Sequence, residues 1–292
     1  MECLVLRKGA LAMQLDELLD NYLACREASI SYQMSMRRTV RKCQNFGLHE
    51  VSDLEPALVN RFLASLSTAL SDTTRSNIRR ELMTLWRFAF EAGETEVPAV
   101  RVRRIRPARK PVEAWCRETL ALMLSIAEQD NMRCGGLSNP RICDWLPAWI
   151  VIGYDTGLRF SDIYELHSTA LRGSLISLVA RKTGKPLVRH LSNYAAQLAH
   201  VLKRNSPDGT LFRWMLTRRR IFIHWRKFLD RNGISGSSRW LRRSCATYIE
   251  ASSPGMASRY LQHSQPNLVG MHYLDQSLLD VPEGPPSIRD RR

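Results

Sequence analysis

No stretch of this 292-residue chain holds the ~18 consecutive apolar residues of a membrane-spanning helix, which excludes that class. Its first residues also lack the long apolar core and cleavage site of a secretory signal, so the expected location is the compartment of synthesis, the cytoplasm. Seven cysteines (Cys3, Cys25, Cys43, Cys116, Cys134, Cys143 and Cys245) make an odd number with no C-x-x-C pair and no His/Cys cluster at zinc spacing. They read as reduced thiols, and neither a disulfide framework nor a structural metal is expected. A phosphate-binding glycine loop, an Asp/Glu metal cluster and an internal repeat are also missing, which argues against ATP-driven and metal-assisted chemistry and against a solenoid. Acidic residues are scarce as well, with 28 Asp/Glu against 43 Lys/Arg and a net charge of +15. Such an imbalance calls for a polyanionic partner.

The excess charge is uneven. Residues 1–97 carry 12 basic against 13 acidic side chains, residues 98–112 carry 6 against none, and residues 113–292 carry 25 against 15. Residues 98–112, PAVRVRRIRPARKPV, add three prolines and favour extended backbone, so they form the boundary between two domains. Residues 10–97 are expected to form a helical bundle, 113–280 a second domain and 281–292 a polar tail.

Four apolar stripes at helical spacing mark the first domain. They are Leu15, Leu18, Leu19, Tyr22 and Leu23; Tyr32, Met36, Val40 and Cys43; Leu58, Val59, Phe62, Leu63 and Leu66; and Ile78, Leu82, Leu85, Trp86 and Ala89. Gly47 and Gly93 stand where two helices should stop, and Ser71 suits the N-cap of the fourth. Opposite the stripes lie i,i+4 basic pairs, Arg37/Arg41 and Arg38/Lys42, together with Arg75, Arg79 and Arg80. These suit a DNA backbone and equally an ordinary solvated face. The second domain reads as helical over 119–127, 145–154, 194–202, 217–229, 241–251 and 256–261. One β-hairpin interrupts it, with strands 175–180 and 186–191 around the turn R-K-T-G-K. The fold class is thus mainly α with a small β-hairpin.

Five motifs in the second half carry chemistry: Y-D-T-G-L-R-F-S-D at 154–162, R-K-T-G-K at 181–185, R-W-L-R-R-S-C-A-T at 239–247, L-Q-H-S at 261–264 and H-Y at 272–273. Their order and content resemble the tyrosine recombinase, or phage integrase, family. The resemblance spans about residues 13–276. It implies a four-helix core-binding (SAM-like) domain followed by a tyrosine recombinase catalytic domain, joined in a clamp on double-stranded DNA.

The resemblance also implies roles. Arg159 and Arg242 would clamp the scissile phosphate, a task that suits a guanidinium because its fork of donors meets two phosphate oxygens and stays charged. Lys182, with Lys185 as the alternative, would protonate the departing 5′ oxygen. His263 would hydrogen-bond the phosphate or assist the tyrosine's proton, and Tyr273 would be the nucleophile that forms a 3′-phosphotyrosyl bond. Linker residues Arg103, Arg104 and Arg106 would neutralise phosphates, as Arg37, Arg41, Arg75 and Arg79 would in the first domain. No cofactor and no metal is implied. The implied partners are two DNA duplexes held by a homotetramer, with accessory DNA-bending proteins, in the integration or excision of a mobile element. No membrane partner is implied.

The chain departs from the family pattern at four places. Arg239 stands where the second arginine box has its first histidine, where arginine can donate to phosphate but cannot accept a proton. Arg243 replaces the second histidine, Gln262 replaces the glycine of L-G-H-S, and Tyr273 follows His263 by ten residues where nine are expected. One extra residue turns a helical side chain by about 100°, and Gly270 could absorb it. Tyr248 and Tyr260 precede His263 and read as core or helix-surface residues. A recombinase-like DNA-binding protein without catalysis, and a relaxing enzyme with type IB topoisomerase chemistry, are the rival readings.

Overall fold

A computed structural model describes residues 13–108, 110–181, 183–262 and 267–279, and for 267 and 268 the backbone alone. The chain divides into two compact units, residues 1–110 and 111–292.

Four helices build the first unit: α1 (Leu15–Ala24), α2 (Ile30–Phe46), α3 (Pro56–Ser65) and α4 (Asp72–Glu91). Their limits follow from local chemistry. Ser29 Oγ accepts the amide of Tyr32 at 3.3 Å to start α2, and Ser71 Oγ accepts that of Thr74 at 3.4 Å to start α4. Gly47, at φ 102°, ends α2 in a conformation that side-chain-bearing residues avoid. The four stripes converge on a common core of Leu15, Leu18, Met36, Phe62, Leu82, Leu85 and Trp86, all fully buried. Each such side chain contributes about 1.5–3 kcal/mol by leaving water. One polar residue interrupts the stripe of α4. Glu81 is buried and accepts hydrogen bonds from Ser35 Oγ at 2.6 Å and Thr39 Oγ1 at 2.5 Å, so its charge is met by hydroxyls of α2.

The proline- and arginine-rich segment is extended, yet it does not stand free of this unit. Trp86 Nε1 donates to the carbonyl of Val97 at 2.8 Å, and the Asn60 side chain brackets Arg101 O and Arg103 N at 3.2 and 2.9 Å. Val102 is buried against the helices, with Ala99 and Ile105 packed beside it. Apolar residues spaced among the arginines thus anchor the strand, while Arg103, Arg104 and Arg106 stay exposed.

The second unit surrounds the apolar helix α6 (Leu146–Thr156), which packs against α5 (Arg117–Gln129), α8 (Asn193–Asn205) and α10 (Arg239–Ser252). Tryptophans 115, 145, 149 and 225 fill the space between these helices and α9 (Arg218–Arg231). A three-stranded antiparallel sheet is added at one side, in the order β1 (Leu171–Arg172), β2 (Leu175–Val179), β3 (Pro186–His190). In β3 the burial alternates, Leu187 and Arg189 facing inward and Val188 and His190 outward. The short helices α7 (Phe160–Tyr164), α11 (Met256–Leu261) and α12 (Asn267–His272) complete the unit. Helices α7 and α12 and strand β1 were not legible as periodic patterns. The tail 281–292 lies outside the described residues, as do Lys182 and His263. Among the described residues no helix is long and apolar enough to cross a membrane.

Candidate active site

A turn forced by glycine presents Arg159. Helix α6 ends at Gly157, which has φ 57° and whose absent side chain leaves room for Leu261 and Cys245, where a Cβ would come within 2.9 and 3.0 Å of their side-chain atoms. Two residues on, Arg159 occupies the N-cap position of α7 with extended backbone. Asp162, buried in the first turn of α7, places Oδ2 3.8 Å from Arg159 Nη1 and accepts the Arg181 amide on Oδ1 at 3.4 Å. That aspartate therefore links the first arginine to the hairpin turn between β2 and β3. In the turn, Thr183 N and Gly184 N donate to Ala180 O, with Gly184 at φ 64°, and Lys185 is exposed.

Arg242 reaches the same place from α10. Its guanidinium donates through Nη1 to the carbonyl of Gly157 and through Nη2 to Leu261 O at 3.2 Å, and its central carbon lies 5.2 Å from the centre of the Tyr273 ring. Burial lowers its pKa from the ordinary arginine value; Tyr273 opposes that shift and the nearby Arg159 reinforces it. One turn earlier on α10, Arg239 is exposed. Arg243, lowered by burial and by Arg239, donates to Glu113 O at 3.2 Å.

The remaining letters of the second arginine box have structural duties. Ser244 exchanges two hydrogen bonds of 2.9 Å with the backbone of Trp115, and Ala246 packs against Ala257, Leu261, Val269 and Leu274. Thr247 Oγ1 donates to Tyr273 O at 3.4 Å and accepts from Asp275 N at 3.0 Å, and the Asp275 carboxylate accepts the Ala114 amide at 2.8 Å. The tyrosine's backbone is thereby tied to α10 on its C-terminal side.

Gly270 sits inside α12 without a positive φ. The irregularity falls instead at the helix end, where the carbonyl of Val269 accepts from both Tyr273 N at 2.9 Å and Leu274 N at 3.3 Å. A second irregularity precedes it. Gln262 has φ 53° and ψ 44°, the left-handed conformation natural to the glycine it replaces, and its Nε2 donates to Pro186 O on β3 at 2.7 Å. The other two tyrosines are engaged elsewhere. Tyr248 Oη accepts the Arg117 amide, and Tyr260 Oη donates to Asp155 O at 2.6 Å beneath the Arg189 guanidinium.

Arg159, Arg239, Arg242 and Tyr273 line a single cavity of about 980 Å³. Its other walls are Leu158, Phe160 and Ser161, then Arg218, Arg219 and Phe222 on α9, then Ser238, Arg243 and His272. Among the described residues no carboxylate lines it, and no group of three His, Cys, Asp or Glu side chains could hold a metal ion. Sequence reasoning missed Arg218, Arg219 and Phe222, and placed His272 in the H-Y motif without giving it a role. The run T-R-R-R-I-F, capped by Thr217 Oγ1 on Arg220 N, was the available signal for the first three.

Sequence comparison finds no matching protein family and no curated relative. Similarity of structure is another matter. A lambda integrase dimer bound to a COC′ core site superposes with a TM-score of 0.74 at 15% identity, covering 94% of this chain and 81% of that one. The Tn1549 transposon integrase in complex with a circular intermediate DNA gives 0.73 at 14%, covering 89% and 95%. The chain has the tyrosine recombinase fold. A lambda integrase tetramer bound to a Holliday junction shares that fold with a TM-score of 0.70 at 16% identity, covering 92% and 78%.

Of the residues expected to contact DNA in the first unit, two hold main-chain carbonyls of the protein. Arg75 donates to Leu63 O and pairs with Asp72 at 2.8 Å, and Arg79 donates to Val102 O and Arg103 O, both at 2.9 Å. Arg37 pairs with Asp20 at 2.8 Å on the surface, and Arg41 is exposed.

Proposed function

We propose that this chain is a tyrosine recombinase that cuts and rejoins DNA strands through a 3′-phosphotyrosyl intermediate, in the integration or excision of a mobile element. The observation that carries the reading is the convergence of Arg159, Arg239, Arg242 and Tyr273 on one cavity walled by cations, aromatics and hydroxyls. Such a wall suits a phosphodiester. Arg159 and Arg242 hold its non-bridging oxygens and stabilise the charge that builds on them in the transition state. Arg239 donates a further hydrogen bond where a proton acceptor is not available.

Tyr273 attacks phosphorus and the 5′ oxygen departs, with Lys182 as its acid and His263 as a donor to the phosphate. The phosphotyrosyl ester retains the energy of the broken bond, so rejoining to another strand needs neither ATP nor a metal ion. The chain acts in the cytoplasm as a homotetramer on two duplexes, with accessory DNA-bending proteins. In this reading Arg37, Arg41, Arg103, Arg104 and Arg106 neutralise backbone phosphates, and Arg75 and Arg79 serve by shaping the basic strand.

The test is covalent trapping on nicked duplexes tiled across the DNA that flanks the gene, comparing wild type with Tyr273→Phe. An adduct mapped by mass spectrometry to Tyr273, absent in the variant although binding is retained, is the expected result. Binding without any wild-type adduct would refute the reading in favour of a non-catalytic DNA-binding protein. Relaxation of supercoiled DNA without strand exchange would favour the topoisomerase-like alternative.

A further inference from the structure

Attack by a phenol requires that its proton go somewhere, because a tyrosine hydroxyl with an ordinary pKa near 10 is protonated at neutral pH. The cavity is poor in acceptors. Arg159, Arg218, Arg219, Arg239, Arg242 and Arg243 are donors only, and a serine hydroxyl such as those of Ser161 and Ser238 does not take up a proton at working pH. The carboxylate beside Arg159, that of Asp162, is buried, accepts the Arg181 amide and does not line the cavity. Among the described lining residues one side chain can both take and return a proton near neutrality, and it is His272.

We propose that His272 is the proton acceptor for Tyr273, an assignment that rests on the recombinase reading above. Adjacent residues on a regular helix point about 100° apart and would not be expected to share a site. Here both side chains line one cavity at the helix end: Tyr273 N keeps the helical bond to Val269 O at 2.9 Å, and Leu274 N, the first amide to leave the helical pattern, closes on the same carbonyl at 3.3 Å. His272 is exposed, so its ring is free of the packing that holds Tyr248 and Tyr260.

The step balances. The phenol O–H bond breaks and its proton passes to an imidazole nitrogen, while the oxygen's electron pair forms the bond to phosphorus. The bond from phosphorus to the 5′ oxygen breaks, and that oxygen keeps the pair and takes a proton from the acid, Lys182. On rejoining, a 5′ hydroxyl gives its proton to the Lys182 amine and its oxygen bonds phosphorus, while the bond from phosphorus to the tyrosine oxygen breaks and the departing phenolate takes back the proton of the imidazolium. Among the described residues the charged groups that line the cavity with His272 are arginines, Arg159 ahead of α7, Arg218 and Arg219 on α9, and Arg239, Arg242 and Arg243 on α10, while Glu113 and Asp275 act on Arg243 from outside the lining.

The experiment is single-turnover cleavage of a nicked duplex that yields the Tyr273 adduct, followed from pH 5.5 to 9 for wild type, His272→Gln and His272→Ala. Wild type should gain rate as pH rises, because only the neutral imidazole can accept the proton. His272→Gln should lose that limb and slow by about 10²–10⁴-fold at pH 7.5, with DNA affinity and thermal midpoint unchanged. Added imidazole should restore part of the rate of His272→Ala. Cleavage by His272→Gln within threefold of wild type, on the same pH profile, would overturn the assignment and leave the recombinase reading standing. Failure of wild type itself to form an adduct on any tiled duplex would overturn both.

Discussion

Replacing Arg242 with alanine removes a guanidinium whose protein partners include two main-chain carbonyls, Gly157 O and Leu261 O. Each buried carbonyl left without a donor costs about 1–3 kcal/mol, so the fold should lose roughly 2–6 kcal/mol. In a unit of 182 residues (111–292) every kcal/mol lowers the melting midpoint by about 2–4 °C, so a fall of roughly 4–24 °C is expected. The catalytic loss is separate. Losing one donor to the transition-state oxyanion slows cleavage by about 10²–10³-fold, or roughly 2.7–4 kcal/mol. Cleavage is measured under single-turnover conditions at a temperature where both proteins are folded by circular dichroism, and affinity by fluorescence anisotropy on the uncut duplex. A contact that strengthens in the transition state predicts that affinity falls much less than cleavage. Equal losses in the two would refute the clamp, since they would mean that Arg242 contributes equally to substrate and transition state.

The other expectations concern the departures from regular structure. Gln262→Gly should be more stable than Gln262→Ala by about 1–2 kcal/mol in urea titrations, since both lose the bond to Pro186 O but glycine alone escapes the left-handed penalty. Equal stabilities would deny the strained backbone. Burial pushes the Cys245 thiol up to about 12, so at pH 8 it should resist iodoacetamide under native conditions while exposed Cys25 reacts, as peptide mapping can check. In the first unit, Arg104→Ala should reduce the salt dependence of DNA binding by about one phosphate contact with stability intact. Arg79→Ala should instead lower stability, because Arg79 holds the carbonyls of Val102 and Arg103.

Periodic burial is what a sequence shows best: α1 to α4 follow stripes that can be read from spacing alone, and α6, buried nearly all round, shows as an apolar run. Helix α7 has five residues and α12 six, too few for a period, and two-residue β1 exists through pairing with β2. The arginines divide the same way. Arg159 and Arg242 were marked by their neighbours in the chain, because Gly157, Ser244 and Thr247 are needed to build the turn and tie the helices. Arg75 and Arg79 looked like free surface cations, since the carbonyls they hold belong to residues 12, 23 and 24 positions away and leave no mark in local sequence. His272 was given no role because its place depends on how a helix ends. Glu81 was missed because its hydroxyl partners lie on another helix, 46 and 42 residues back.

The turn after α6 has a mechanical consequence. Gly157 offers its carbonyl to Arg242 and leads the chain, two residues later, into Arg159. Both cations are thus referenced to one peptide, as two jaws are mounted on a single plate. A displacement of that plate carries the pair together and preserves the gap between them, which is the dimension a phosphate group measures.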